Sequence, residues 1–434
     1  MKPVVSINGQ RLMQRLDEFA AIGGGDDLGV NRQALTKLDR QSRSILARIA
    51  LRRDFEVFQD EIANLFVRRR GKNNTRAPFM IGSHLDTQPT GGRFDGALGT
   101  LAALEVLETL EDAGVETECP LEMVAWTNEE GSRFSPGSMG SQAFVKGVIP
   151  PEILAAQDGE GEPMARALAD TLTALPEAQR RPLGGPLQGY LELHIEQGPI
   201  LENEGIPIGV VTAVQGTRWL QVKVTGEAGH AGTTLAGSRR DPMRAATTGL
   251  AELYAAIMPA DEEARLTVGR FSLEPGSINA VPAVALFSID IRHPDPDRLD
   301  RIEATIGATL RQAAEANGCT VDIACILDMP STMFAESLLT CIEQAAAENG
   351  VKHRRIVSRA FHDALFISRI APAAMIFVPC RNGVSHNAAE FVEPEFCILG
   401  ADMLLHATLR AVAELEDRPE IVTTATAEMA VSNA

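Results

Sequence analysis

Five short segments set imidazoles and carboxylates directly after apolar runs. They are Ser83-His84-Leu85-Asp86-Thr87, Phe94-Asp95-Gly96, Thr127-Asn128-Glu129-Glu130-Gly131, Glu192-Leu193-His194-Ile195-Glu196-Gln197-Gly198 and Gly383-Val384-Ser385-His386-Asn387. Mixed imidazole and carboxylate donors without thiolates suit a hydrolytic site with one or two divalent metals better than a structural zinc site. Two cations held close together by a bridging carboxylate can activate a water and polarise the bond under attack. Asp95 is the candidate bridge, because Gly91, Gly92, Gly96 and Gly99 around it let the backbone bend closely. Asp86, two residues after His84 on an extended segment, faces the same side and could fix the imidazole tautomer. Adjacent Glu129 and Glu130 point different ways, so one can ligate while the other serves as general base. Each motif is weak by itself; five converging on one place imply a metal site.

The elements around these segments explain how they could meet. Pro78–Ser83 reads as a buried strand, residues 97–112 as a helix with apolar positions at 98, 101, 104 and 107, and Leu121–Thr127 as a second strand. This is a βαβ unit with parallel neighbouring strands. His84 and the Glu129-Glu130 pair then lie at the carboxyl ends of parallel strands, where open α/β sheets build their sites. Tyr190–Leu193 and Ala373–Val378 repeat the pattern before His194 and His386. Between about Gln215 and Asp328 the order becomes strand (219–225), helix (241–257), strand (265–272), strand (284–292), helix (297–316) and strand (320–327), a ferredoxin-like βαββαβ block. The expected fold is therefore an α/β catalytic domain over residues 1–216 and 330–434, with an α+β domain inserted at 217–329. Pro150–Gln188 reads as a surface excursion with a helix near 163–175, and the tail after Asp417 as disordered.

Composition narrows the function. The chain has 434 residues, 45% of them hydrophobic, enough for two domains. Its 40 Lys and Arg against 58 Asp and Glu give −18, with no basic stripe, which argues against nucleic acid and anionic membranes as partners. No secretion signal and no run of roughly 18 uninterrupted apolar residues is visible. Six scattered cysteines without a C-x-x-C pair fit free thiols in a reducing, cytoplasmic compartment. Cys380, six residues before His386, reads as a small buried residue rather than a nucleophile. His293, His353 and His406 lack the metal context, and His362-Asp363 reads as a hydrogen-bonded structural pair in preference to a pocket contributor.

At these residues the chain resembles the M20 metallopeptidase superfamily and, within it, the hydantoinase/carbamoylase branch of amidohydrolases. The general motifs are Ser83-His84-Leu85-Asp86-Thr87, Asp95-Gly96-x-x-Gly99 and Asn128-Glu129-Glu130-Gly131. The branch-specific ones are Glu192 to Pro199, Gly226-Glu227-Ala228-Gly229-His230-Ala231-Gly232-Thr233 and Ser385-His386-Asn387. M20 peptidases commonly carry a carboxylate where this chain has His194, which favours the amidohydrolase branch. The resemblance implies two divalent ions per subunit, zinc, manganese, cobalt or nickel. One would be held by His84, Asp95 and His194, the other by Asp95, Glu130 and His386. It implies Glu129 as the base, Asp86 as orienting residue, His230 as oxyanion donor and Gln197 on the carbamoyl end. Asn279 and Arg292 match positions that bind a substrate carboxylate. A guanidinium fork suits that task in an acidic protein, the alternative being a strand-end ion pair with a nearby Asp. A homodimer joined through the inserted domain follows from the same resemblance.

The expected reaction is metal-dependent hydrolysis of an N-carbamoyl-L-amino acid to the amino acid, carbon dioxide and ammonia. Allantoate, ureidoglycolate and 3-ureidopropionate are the nearest rival substrates, followed by those of an M20 aminoacylase or dipeptidase. A non-catalytic binding protein of the same fold is the reading from a different class. Two departures from relatives stand out. Thr234 is followed by Leu235-Ala236-Gly237-Ser238 instead of Pro-Met, and Ser358-Arg359-Ala360 replaces Ser-Gly-Ala before His362-Asp363.

Overall fold

The computed structural model describes residues 5–25 and 28–416. The tail expected to be disordered lies outside the described residues. The chain divides into two compact units, residues 1–212 with 334–434, and residues 213–333. The second is slightly wider than the insertion expected from the sequence.

In the first unit, the strands Ala373–Val378, Gly189–Ile195, Phe79–His84 and Leu121–Trp126 lie side by side in that order. Every neighbouring pair is parallel. All four are buried along their whole length, as strands covered on both faces must be, which is why they read as apolar runs without alternation. The helix Ala97–Asp112 connects two of them and packs on the Phe79–His84, Leu121–Trp126 and Gly189–Ile195 strands. Its approach is close at Gly99, where a Cβ would sit 2.1 Å from the Leu193 carbonyl oxygen. The helix Pro394–Glu416 is long and apolar enough to cross a membrane by composition alone. It is a core helix here, with Cys397, Ala401, Met403, Leu404 and Leu405 fully buried.

The expected surface excursion at 150–188 is corrected. Ile153, Met164, Ala167 and Leu168 pack with Ile62, Phe134 and Met139 into a small core of their own. The Ala/Glu/Gly/Pro-rich composition hid one apolar face on the helix Met164–Thr173.

In the second unit, strands Arg265–Thr267, Val284–His293, Gly216–Thr225 and Thr320–Met329 form an antiparallel sheet in that order. Strict burial alternation along Val284–His293 places Phe287, Ile289 and Ile291 in one core with Leu253 of the helix Pro242–Ala256 and Ile306 of Pro296–Ala316. The single strand expected at 265–272 is two, Arg265–Thr267 and Phe271–Glu274, split by the extra residue at 268–270 opposite Ile289 and Ser288.

Candidate active site

Parallel strands deliver the first candidate ligands. His84 ends its strand, and Thr100 donates from Oγ1 to its carbonyl at 2.9 Å. His194 sits within the neighbouring strand Gly189–Ile195, one residue before its end. Each ring directs Nδ1 at a backbone carbonyl, His84 to Asp86 O at 2.9 Å and His194 to Ile195 O at 3.0 Å. A proton on Nδ1 turns both Nε2 lone pairs into the site, where that of His194 also accepts from Gly96 N at 3.3 Å.

Those Nε2 atoms converge on one oxygen of Asp95. His194 Nε2 is 3.1 Å and His84 Nε2 3.7 Å from Asp95 Oδ1. The other oxygen, Oδ2, faces His386 Nε2 at 3.4 Å, and that nitrogen lies 3.3 Å from Glu130 Oε2. His84, Asp95 and His194 form one group whose donors all lie within 4.8 Å, and Asp95, Glu130 and His386 form another. Asp95 is common to both. Glu129 stands beside the first group, its Oε2 3.5 Å from His84 Nε2.

The electrostatics fit a cation. Burial lowers His84 to about 4. Burial also acts to lower His194, but the hydrogen bond and charge of Asp95 outweigh it and raise the group to about 9. His386 is raised to about 9 by its hydrogen bond to Asp95, and Asp95, although buried, is held well below the usual carboxylate range by these imidazoles. Burial pushes Glu129 well above its ordinary value, with Asp363 and Glu130 adding to the effect, and Glu130 goes to about 8 through burial and Asp95. Closely set buried carboxylates balanced by imidazoles are an environment that a divalent ion would neutralise.

One expected partner is corrected. The carboxylate of Asp86 is 4.0 Å from His84 Nδ1, and the backbone carbonyl of Asp86 makes the hydrogen bond instead. The carboxylate accepts from the backbone N–H groups of Glu129 and Glu130 at 3.3 and 3.2 Å. Asp86 thus orients the glutamate loop, because an extended residue can offer its carbonyl to one side and its side chain to the other.

Gln197 adopts φ 56° and donates from Nε2 to Asp95 Oδ2 at 2.9 Å and to Ser385 Oγ at 3.0 Å. Its Oε1 is buried without a hydrogen-bond partner. His230, Asn279 and Arg292 belong to the second unit. His230 Nδ1 accepts the N–H groups of Gly232 and Thr233 at 3.0 and 3.2 Å, so its proton resides on Nε2 and that nitrogen is a donor. Asn279 lies beside it, its carbonyl accepting from Ala231 N at 2.9 Å. Arg292 forks onto Asp290, 2.9 Å at the shortest contact, which is the strand-end ion pair held open as the alternative. A cavity of about 360 Å³ on this unit, lined by Trp219, Gln221, Arg270 and Asp290 among others, contains none of the residues of the two donor groups that share Asp95.

Several further residues at the site were given no role in it by the sequence. Gln88 clamps Glu130, donating from N to Oε1 at 3.1 Å and from Nε2 to Oε2 at 2.7 Å. Glu192 accepts from Ser83 Oγ at 2.7 Å and Ala364 N at 3.0 Å, and the His362 ring packs against His194 with centroids 4.5 Å apart. Glu390 accepts from the backbone of Phe94 and Asp95; burial pushes it up to about 7. Only the position of Glu192, two residues before His194 and hence on the same strand face, could have been read in advance.

The model of peptidase family M20/M25/M40 matches residues 80–410. An N-carbamoyl-L-amino acid amidohydrolase from Geobacillus stearothermophilus is 36% identical over 409 residues, covering 92% of this chain and 98% of that protein. One from Rhizobium meliloti is 36% identical over 411 residues, covering 94% and 98%. A solved amidase of the hydantoinase/carbamoylase family from Burkholderia multivorans superposes with TM-score 0.86 at 40% identity, covering 94% of this chain and 99% of that one. With its donors converging on Asp95 and these likenesses spanning nearly its whole length, the chain belongs to peptidase family M20/M25/M40, in the hydantoinase/carbamoylase branch.

Proposed function

We propose that this protein hydrolyses the ureido C–N bond of N-carbamoyl-L-amino acids, giving the L-amino acid, carbon dioxide and ammonia. The observation that carries the reading is the pair of donor groups sharing Asp95, with Glu129 next to them. Two divalent ions held there, by His84, Asp95 and His194 and by Asp95, Glu130 and His386, would supply Lewis acidity to the ureido carbonyl and the attacking water. The chain's own residues do the rest. Glu129 takes the proton from the water and carries it to the departing amino nitrogen. Gln197 has a buried acceptor, Oε1, free for the terminal N–H₂ of a carbamoyl group. His230, with its proton on Nε2, is assigned to the developing oxyanion. Asn279 and Arg292 are assigned to the substrate carboxylate, which would share the Arg292 guanidinium with Asp290.

A homodimer formed through residues 213–333 is part of the proposal, by family likeness. So is a cytoplasmic location, supported by six cysteines that form no disulfide. The test is release of ammonia and amino acid from N-carbamoyl-L-amino acids, allantoate, ureidoglycolate, 3-ureidopropionate and N-acetyl amino acids. The protein is assayed after chelation and after return of Mn²⁺ or Zn²⁺. Metal-dependent turnover of the carbamoyl compounds, selective for the L-form, is expected. Preference for another substrate reassigns the enzyme within the branch, and silence of the metal-loaded protein across the panel favours a binding role.

A further inference from the structure

Glu390 is a buried carboxylate that the reaction as described does not use. It is 3% exposed. Its Oε1 accepts two backbone N–H groups, Phe94 at 2.8 Å and Asp95 at 3.0 Å. These lie just ahead of the helix Ala97–Asp112, whose first turn begins where Phe94 O accepts from Leu98 N at 2.9 Å. The last residues before a helix carry N–H groups with no partner inside it. Glu390 satisfies two of them from the other end of the chain, at the residue that carries the shared carboxylate.

Glu390 also lies four residues after His386, on the turn that follows it. A tight turn joins them, with Glu390 N donating to Asn387 O at 3.0 Å and Ala389 N to Asn387 Oδ1 at 2.9 Å. Phe391 packs edge-on against Phe94, centroids 5.9 Å apart. Space for this clamp comes from Gly92, where a Cβ would lie 2.1 Å from Glu390 Cδ and 2.2 Å from Oε1. The contacts to Phe94 and Asp95 are to main-chain atoms, so they do not compete for the carboxylate oxygens of Asp95, of which Oδ2 also accepts from Gln197 Nε2 and Ser385 Oγ at 2.9 Å each.

We infer that Glu390 is a positioning residue of the metal centre, locking the Asp95 loop to the His386 turn so that the shared carboxylate and a terminal imidazole keep their spacing. The inference rests on the proposed metal site. A partner of this kind that orients a ligand typically contributes about 10–100-fold to metal affinity.

The test is Mn²⁺ and Zn²⁺ binding by titration calorimetry to chelator-treated full-length protein, wild type against E390A, E390Q and G92A. Bound metal is counted after gel filtration, and kcat and KM are measured at saturating metal. We expect E390A to weaken metal binding by about 10–100-fold and to lower kcat more than it changes KM. E390Q keeps an acceptor oxygen for both N–H groups and recovers most of the lost affinity. G92A pushes the carboxyl aside with Glu390 still present and reproduces the E390A loss, so the inference stays testable if E390A does not fold. A purely structural role would lower the melting temperature of the metal-free variants and leave affinity and stoichiometry at wild-type values; that result overturns the inference. A wild type that takes up no metal overturns the metal site itself and the inference with it.

Discussion

Asp95 is the residue on which the site turns, because its two oxygens face different imidazoles. Removing it should affect both of the proposed ions, whereas removing a ligand of one group should affect one. Asp95→Asn is expected to retain less than one equivalent of metal and His386→Ala about one, by elemental analysis after gel filtration; equal losses from the two variants would remove Asp95 from the shared position. Glu129 is adjacent to these ligands but is assigned a proton rather than a cation. Glu129→Gln should keep its metal content and lose at least ~10²-fold in turnover, and undiminished kcat would reject the base assignment. Histidines and carboxylates at these positions were legible because their chemistry is carried by residue type. Gln88 and Glu390 were not, because an amide or carboxylate that orients a ligand looks like any polar residue until its partner is known.

At the scale of elements, four parallel strands distant in sequence bring the ligands together, and the helix Ala97–Asp112 holds the Asp95 loop against two of them. Gly99 marks where that helix touches the His194 strand, with no room for a Cβ beside Leu193 O. Gly99→Val should cost about 1–3 kcal/mol by overpacking, seen as a lower denaturation midpoint at unchanged m-value, and should also lower metal content, since the helix would be pushed away from the strand carrying His194. Wild-type stability with normal metal content would mean that the contact yields without consequence. Both the 97–112 helix and its flanking strands were readable from apolar spacing. The split at 268–270 and the core beneath 150–183 were not, since a bulge and a one-sided helix in polar sequence leave little periodic trace.

For the molecule as a whole, the net charge of −18 is accompanied by carboxyls buried above their usual range. Asp60 is the clearest case remote from the metal ligands. Burial pushes it up to about 7, outweighing the N–H groups of Asn64 and Ile62 that it accepts. The unfolded chain releases this proton near pH 4 and the folded chain holds it to about 7, so between those values the folded state binds more protons. Stability contributed by this group is therefore present below pH 4 and declines as pH rises to 7. Asp60→Asn cannot titrate, and its melting temperature should gain on wild type as pH is raised from 4 to 7. A constant difference across that window would show that Asp60 is ionised in the folded protein.

Residue type and short-range spacing sufficed for the candidate metal donors, the βαβ unit around His84 and Glu130, the βαββαβ order of the inserted block and the family. Each is local, written in residue type, apolar period or short spacing. Tertiary structure decided what depends on chain segments meeting across long separations. It put both oxygens of Asp95 to use, gave the Asp86 carboxylate to the glutamate loop instead of His84 and tied Glu390 to the backbone of Asp95. The physical reason is common to these cases. A hydrogen bond or ion pair is set by direction and distance between two groups, and the sequence records the groups without recording where the fold will point them.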